Sequence, residues 1–192
     1  TQPANWTNAE VVWSTSAGDR GTPGAYMLLQ ATPTPVLTPG APTPGPLPSI
    51  LISEFLADPK AVTDGEGEWL ELFNAGPTAV NLRGWTLADL GSEHHTIDAD
   101  LIVPAGGYVI LARNGDPTVN GGVIAHYVYR SFTLSNGEDE ILLLAPDAPE
   151  VDRVVWGADS GLTVKAGVSL ERTNFTAPGT WSASSAPWAG SS

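Results

Sequence analysis

Glu54 and Glu71 stand on neighbouring predicted strands, and two carboxylates approaching one another in a cleft are the equipment for acid/base hydrolysis of a glycosidic bond. The blander alternative is a pair of structural carboxylates, held by backbone amides or by an arginine such as Arg83. The stretch Asp58-Pro-Lys-Ala-Val-Thr-Asp64-Gly65-Glu66-Gly67-Glu68 offers oxygen ligands on a chain that glycine lets bend, which is what a hard cation needs. Asp58, Asp64, Glu66 and Glu68 are therefore the calcium candidates. Their spacing is not that of an EF-hand and Lys60 lies among them, so a solvated acidic loop competes with calcium. His94 and His95 are adjacent and on a strand face opposite ways, so they cannot share one metal. A zinc site would need one of them together with His126 and competes with ordinary surface histidines. No Gly-x-Ser-x-Gly turn presents a nucleophile.

Aromatic side chains supply flat apolar faces with polar edges, and Tyr108, Trp85 and Trp156 could stack on a sugar. Trp69, Trp85 and Trp156 each sit inside a leucine-rich or β-branched run, which favours the core for all three. Tyr127 and Tyr129 alternate with His126 and Val128, so one pair faces outward and the two tyrosines form a candidate ligand surface. Taken together, these residues predict no catalytic set, no required cofactor and a non-enzymatic role.

The elements that must position these side chains are short. Helical periodicity is absent after residue 49, and β patterns succeed one another. They read Ile50–Phe55, Trp69–Phe73, Trp85–Ala88, Thr96–Ile97, Tyr108–Ala112, His126–Tyr129, Glu140–Leu144, Val151–Trp156 and Val168–Glu171. Turn signals such as Asn74-Ala75-Gly76-Pro77, Asn114-Gly115 and Asn136-Gly137 separate them. About nine short strands without helices between them predict an all-β sandwich. Within Trp69–Phe73, Trp69, Glu71 and Phe73 share one face while Leu70 and Leu72 take the other.

Charge and composition narrow the partners. The net charge is −13, and residues 50 to 175 alone hold seven Lys or Arg against nineteen Asp or Glu. Phosphate-backbone binding needs clustered cations, so nucleic acid is a poor fit. There is no cysteine, which removes disulfides, thiolate metal sites and cysteine nucleophiles. Mean hydropathy is near zero at −0.01, and no apolar run approaches the roughly 20 residues a bilayer span needs.

The strand series resembles a known family, the lamin-tail domain, an immunoglobulin-like sandwich found in nuclear lamins and in many bacterial exported proteins. The opening Ile50-Leu51-Ile52-Ser53-Glu54-Phe55-Leu56-Ala57-Asp58-Pro59 is similar to the family's first strand. Glu68-Trp69-Leu70-Glu71-Leu72-Phe73-Asn74 resembles its acidic-Trp-x-Glu-x-x-Asn strand, and Leu82-Arg83-Gly84-Trp85-Thr86-Leu87 its Leu-x-Gly-Trp-x-Leu element. Leu101 to Tyr108, Phe132 to Asp139, Asp152 to Trp156 and Ser169 to Arg172 follow in the family's order. The resemblance covers about residues 50 to 190 and implies a non-catalytic immunoglobulin-like fold, often a companion of nucleases or other hydrolases.

Two further patterns set the organisation. Trp6 and Trp13 are seven residues apart, as are Trp181 and Trp188, with Asn5-Trp6-Thr7 echoed by Thr180-Trp181-Ser182. A repeated ending predicts a slice of a tandem array. Residues 31 to 48 hold seven prolines and no charge, an extended Pro/Thr-rich spacer reaching on the order of 55 Å when stretched. The expected division is therefore 1–30 as the end of a preceding unit, 31–48 as linker and 49–192 as the sandwich. Such a chain is expected to be an interaction or display module of a secreted or cell-surface bacterial protein, its targeting signal lying elsewhere. The alternative is a carbohydrate- or calcium-dependent adhesion module. The expected partner is a protein or cell-surface polymer, with the tail around Trp6 and Trp13 packing on this sandwich or exchanging with a neighbouring copy.

Overall fold

A computed structural model describes residues 50–146, 150–175 and 179–185. Trp6, Trp13, the spacer of residues 31 to 48 and Trp188 lie outside the described residues.

The described chain is built almost entirely of β-structure, as expected, in an immunoglobulin-like sandwich. The strands are β1 (Ile50–Leu56), β2 (Trp69–Asn74), β3 (Val80–Asn81), β4 (Thr86–Ala88), β5 (His94–Thr96), β6 (Ile102–Val103), β7 (Tyr108–Ala112), β8 (Tyr127–Val128), β9 (Asp139–Leu144), β10 (Glu150–Trp156), β11 (Leu170–Arg172) and β12 (Trp181–Ala183). A single helical turn, α1 (Asp64–Gly67), interrupts the acidic stretch read as an open loop. One sheet runs β12-β11-β1-β2-β7-β8, a second β10-β9-β4-β5, and β3 pairs with β6 in a small third. All pairings are antiparallel except β7 with β8.

Alternation along each strand produces the core. Ile50, Ile52, Phe55, Leu70, Leu72, Val109 and Leu111 of the six-stranded sheet pack with Leu87, Ile141, Leu143, Val154 and Trp156 of the four-stranded sheet. Each fully buried side chain of this kind stabilises the fold by roughly 1.5–3 kcal/mol. Phe55 is the hinge of the aromatic packing, with its ring 4.7 Å from Trp156 and 5.6 Å from Trp181. The Trp156 indole N–H donates to the Ser135 carbonyl at 2.8 Å, satisfying the polar atom of the largest buried ring.

Trp85 and Trp156 join this core as predicted. Trp69 does not. It is buried on the opposite face of the six-stranded sheet, in a satellite cluster with Leu56, Ala112 and Val123. The cause is the two-residue period of β2: with Leu70 and Leu72 inward, Trp69 must point the other way.

The two sheets are fastened at a β-bulge. The β1–β2 register slips between Ile52 and Glu54, leaving Ser53 as the extra residue. The Ile52 N–H then donates to Asp152 Oδ2 of β10 at 2.7 Å, and the Ile52 carbonyl accepts from Arg172 Nε of β11 at 2.7 Å. Arg172 Nη2 closes the triangle on Asp152 Oδ2 at 2.5 Å, with its guanidinium 5.0 Å from the Trp181 ring centre. A buried charge pair thus replaces the ladder bonds that β11 no longer supplies to β1 at this point.

Candidate functional site

Glu54 and Glu71 are brought together as direct cross-strand partners, and a third carboxylate joins them. Glu54 of β1 faces Glu71 of β2 on one side and Glu171 of β11 on the other. The row lies on the outer face of the six-stranded sheet, because Phe55, Leu70 and Leu170 beside these residues point into the core. The Ser169 hydroxyl donates to Glu54 Oε1 at 2.6 Å, and the Ser53 hydroxyl to Glu71 Oε1 at 2.7 Å. Partial burial raises the pKa of Glu54, the Ser169 bond opposes it, and Glu71 and Glu171 raise it further. Burial likewise raises Glu71, against the Ser53 bond and the nearby His126. Side by side on a sheet face, these carboxyls do not flank a cleft in the way that bond cleavage between two acids requires.

Arg83, the cation suggested for this pair, is elsewhere. Its Nε lies 2.7 Å from Asp100 Oδ1, and its Nη1 donates to the Asp98 carbonyl.

Beside the glutamate row runs an aromatic one. Phe73 is two residues from Glu71 on the same face of β2 and is the cross-strand partner of Tyr108 on β7. Their rings stack at 4.6 Å, and Phe175, following β11, lies 4.9 Å from Phe73 on the other side. Tyr108 is 48% exposed and Phe175 43%. Nothing in the sequence sets Phe175 beside Phe73, whose place on the face of Glu71 alternation gives. The i, i+2 spacing of Glu71 and Phe73 was visible, but the register that sets Tyr108 against Phe73 was not.

The predicted tyrosine surface is corrected. Tyr129 is completely buried, packed edge-on to Phe132 at 6.0 Å, and its phenol is pushed well above its ordinary pKa by burial and by Glu68. The cause is that β8 ends at Val128, so simple alternation does not carry through to Tyr129. Tyr127 is half-buried and engaged. The Arg130 N–H donates to His95 Nδ1, which leaves Nε2–H to donate to the Tyr127 oxygen at 3.0 Å. The Tyr127 hydroxyl in turn donates to Asp98 Oδ1 at 2.9 Å. Burial lowers the His95 pKa. His126 accepts from the Ile110 N–H through Nδ1, and so His95 and His126 serve different strands.

The calcium candidates do not converge. Asp64 accepts from Asn136 Nδ2 at 3.1 Å, Glu66 from the Thr63 hydroxyl at 3.1 Å, and the Asp58 carbonyl from the Gly167 N–H at 2.7 Å. Glu68 turns inward, only 2% exposed. Its Oε2 accepts from the Leu134 N–H at 3.3 Å and lies 3.8 Å from Arg113 Nη1. Desolvation nonetheless outweighs Arg113 and raises its pKa to about 8. Among the described residues no three His, Cys, Asp or Glu side chains gather as a metal would need. Asn74 is also structural: it is buried, its Nδ2 donates to the Thr78 and Val103 carbonyls, and its Oδ1 accepts from the Gly76 N–H.

An open groove of about 710 Å³ follows the edge of β10, between Glu150, Asp152 and Arg153 on one side and Leu162, Thr180 and Trp181 on the other. It holds the exposed end of the Arg153–Glu150 pair and no converging acid and base.

Two sheets, an inward-facing charge pair and motif residues engaged by the frame define an immunoglobulin-like β-sandwich domain. The sequence model of the Lamin Tail Domain family matches residues 43–158, more than half of the chain, and the chain belongs to that family. No curated protein matches it.

Proposed function

We propose that this chain is a non-catalytic interaction and display module of a multi-domain bacterial protein, exported or held at the cell surface. Its family membership carries the reading, as a domain of immunoglobulin-like type whose natural product is a surface. The seven-proline spacer of residues 31 to 48 supports it, being suited to hold such a surface away from its neighbours. So does the echo of Trp6 and Trp13 in Trp181 and Trp188, which fits serial units exchanging a tail between copies.

The test is protease treatment of intact source cells, followed by detection of residues 50 to 185 with a specific antibody. Cleavage in the spacer that sheds a sandwich-sized fragment before lysis is the expected result. Protection of that fragment until the cells are broken would sink the display reading. A carbohydrate adhesion role is the second reading, favoured by the exposed ring of Tyr108 stacked on Phe73. Binding to neutral glycans on an array would select it.

A further inference from the structure

We propose that the outer face of the six-stranded sheet docks a lysine-rich segment of a partner protein. The proposal rests on the interaction-module reading above and names the partner's chemistry. Two features of the face carry it. The first is the apolar row Phe175, Phe73 and Tyr108, stacked and partly open to solvent. The second is the row Glu171, Glu54 and Glu71 across β11, β1 and β2, which meets the first on β2, where Phe73 stands two residues from Glu71.

Like charges directly opposite one another in a sheet are unfavourable, and here one carboxylate has a carboxylate on both sides. The protein does little to offset this internally. Among the described residues the ion pairs join Arg83 to Asp100, Arg113 to Glu68, Arg153 to Glu150 and Arg172 to Asp152, none of them in the row. Ser53 and Ser169 each hold one oxygen of Glu71 and Glu54, fixing the carboxyls without neutralising them.

A lysine side chain matches this surface in both halves. Its stem is apolar and lies well along aromatic rings, while its ammonium seeks carboxylates and the π-face. Residues two apart on a strand are about 6.5–7 Å from one another, so one extended lysine spans from the Phe73 row to the Glu71 row. A neutral sugar would satisfy the rings and leave the repulsion among the glutamates in place.

The experiment measures fluorescence anisotropy of labelled octalysine titrated with the full chain at low and high salt. Binding at low salt, weakened by added salt, is expected. Glu54→Gln with Glu71→Gln keeps an acceptor for each serine and should weaken binding about tenfold or more. Tyr108→Ala, at an exposed position, should weaken it several-fold. A charge-matched control, Glu138→Gln with Asp159→Asn on exposed loops of the other sheet, should change it less than about twofold. Circular dichroism checks that each variant is folded. Equal loss in both charge-matched pairs would show only the general field of an acidic chain and overturn the proposal. Absence of octalysine binding overturns it too, as does binding of cellohexaose to this face in its place. The protease test of display is blind to these outcomes, so failure here removes the docking surface and leaves the display reading standing.

Discussion

Glu68 shows how a residue's type can be plain while its role depends on chain far away. In sequence it is an acidic residue in a glycine-containing loop, and calcium was a fair expectation for it. What makes it structural is Leu134, 66 residues on, whose N–H it accepts, and the closure of β2 against β7 that buries it. Tyr129 was misplaced for the same reason, since its burial depends on where β8 stops. Burial has a consequence for stability. The Glu68 pKa rises from an ordinary 4.5 to about 8, so the folded protein binds this proton more tightly than the unfolded chain. That stability is fully present below about pH 4.5 and is lost as pH rises through about 8. Glu54, Glu71 and Asp139 are also raised and act in the same direction, whereas Asp100 and Asp116 are lowered and act at more acid pH. Chemical denaturation between pH 5 and about 9 should therefore show falling stability, and Glu68→Gln should flatten the upper part of that slope. A variant with an unchanged slope would mean that Glu68 is charged and solvated in the folded protein.

At the scale of elements, the long strands are legible in the sequence, as are the short β4, β5, β8 and β11 in part, whereas β3, β6 and β12 are not. β1, β2, β7, β9 and β10 span five to seven residues and carry enough alternation or apolar run to announce themselves. β3 and β6 are two residues each, and β12 three, too short for any period to be read. Their positions are set by backbone bonds such as Leu82 N–H to the Leu101 carbonyl at 2.9 Å, which no local pattern encodes. The turns that close the long strands are exacting. Gly157 ends β10 with φ +126°, its N–H donating to the Leu162 carbonyl at 2.8 Å. A Cβ built there would meet Glu138 Cβ at 2.4 Å, so side chain and backbone both exclude anything larger. Gly157→Ala should cost about 2 kcal/mol or more. Gly137→Ala, where a Cβ meets open space, should stay within about 0.5 kcal/mol of the parent in the same urea titration. Equal effects at the two sites would mean that the loop after β10 relaxes freely and does not fasten the sheet edge.

For the molecule as a whole, the division into units leads to a measurement of stability against concentration. The main core of the described residues draws its members from residues 50 to 181, and the apolar faces of both sheets meet within it. A fragment of residues 49 to 192 should therefore unfold in one cooperative transition, near the midpoint of the dilute full chain. Tail exchange through Trp6 and Trp13 makes a different demand. A segment that binds only the folded sandwich of another copy stabilises it by mass action, by about 2.7 kcal/mol when the chain stands at a hundred times the dissociation constant. For a domain of this size that is a rise in Tm on the order of 8 °C. The full chain should melt at higher temperature as its concentration increases. The 49–192 fragment and the Trp6→Ala, Trp13→Ala variant should not. If the full chain also melts independently of concentration, exchange fails while the unit boundary stands. If the fragment itself becomes concentration-dependent, copies associate through the sandwich surface. If it unfolds without cooperativity, residues before 49 belong to the core and the division is wrong.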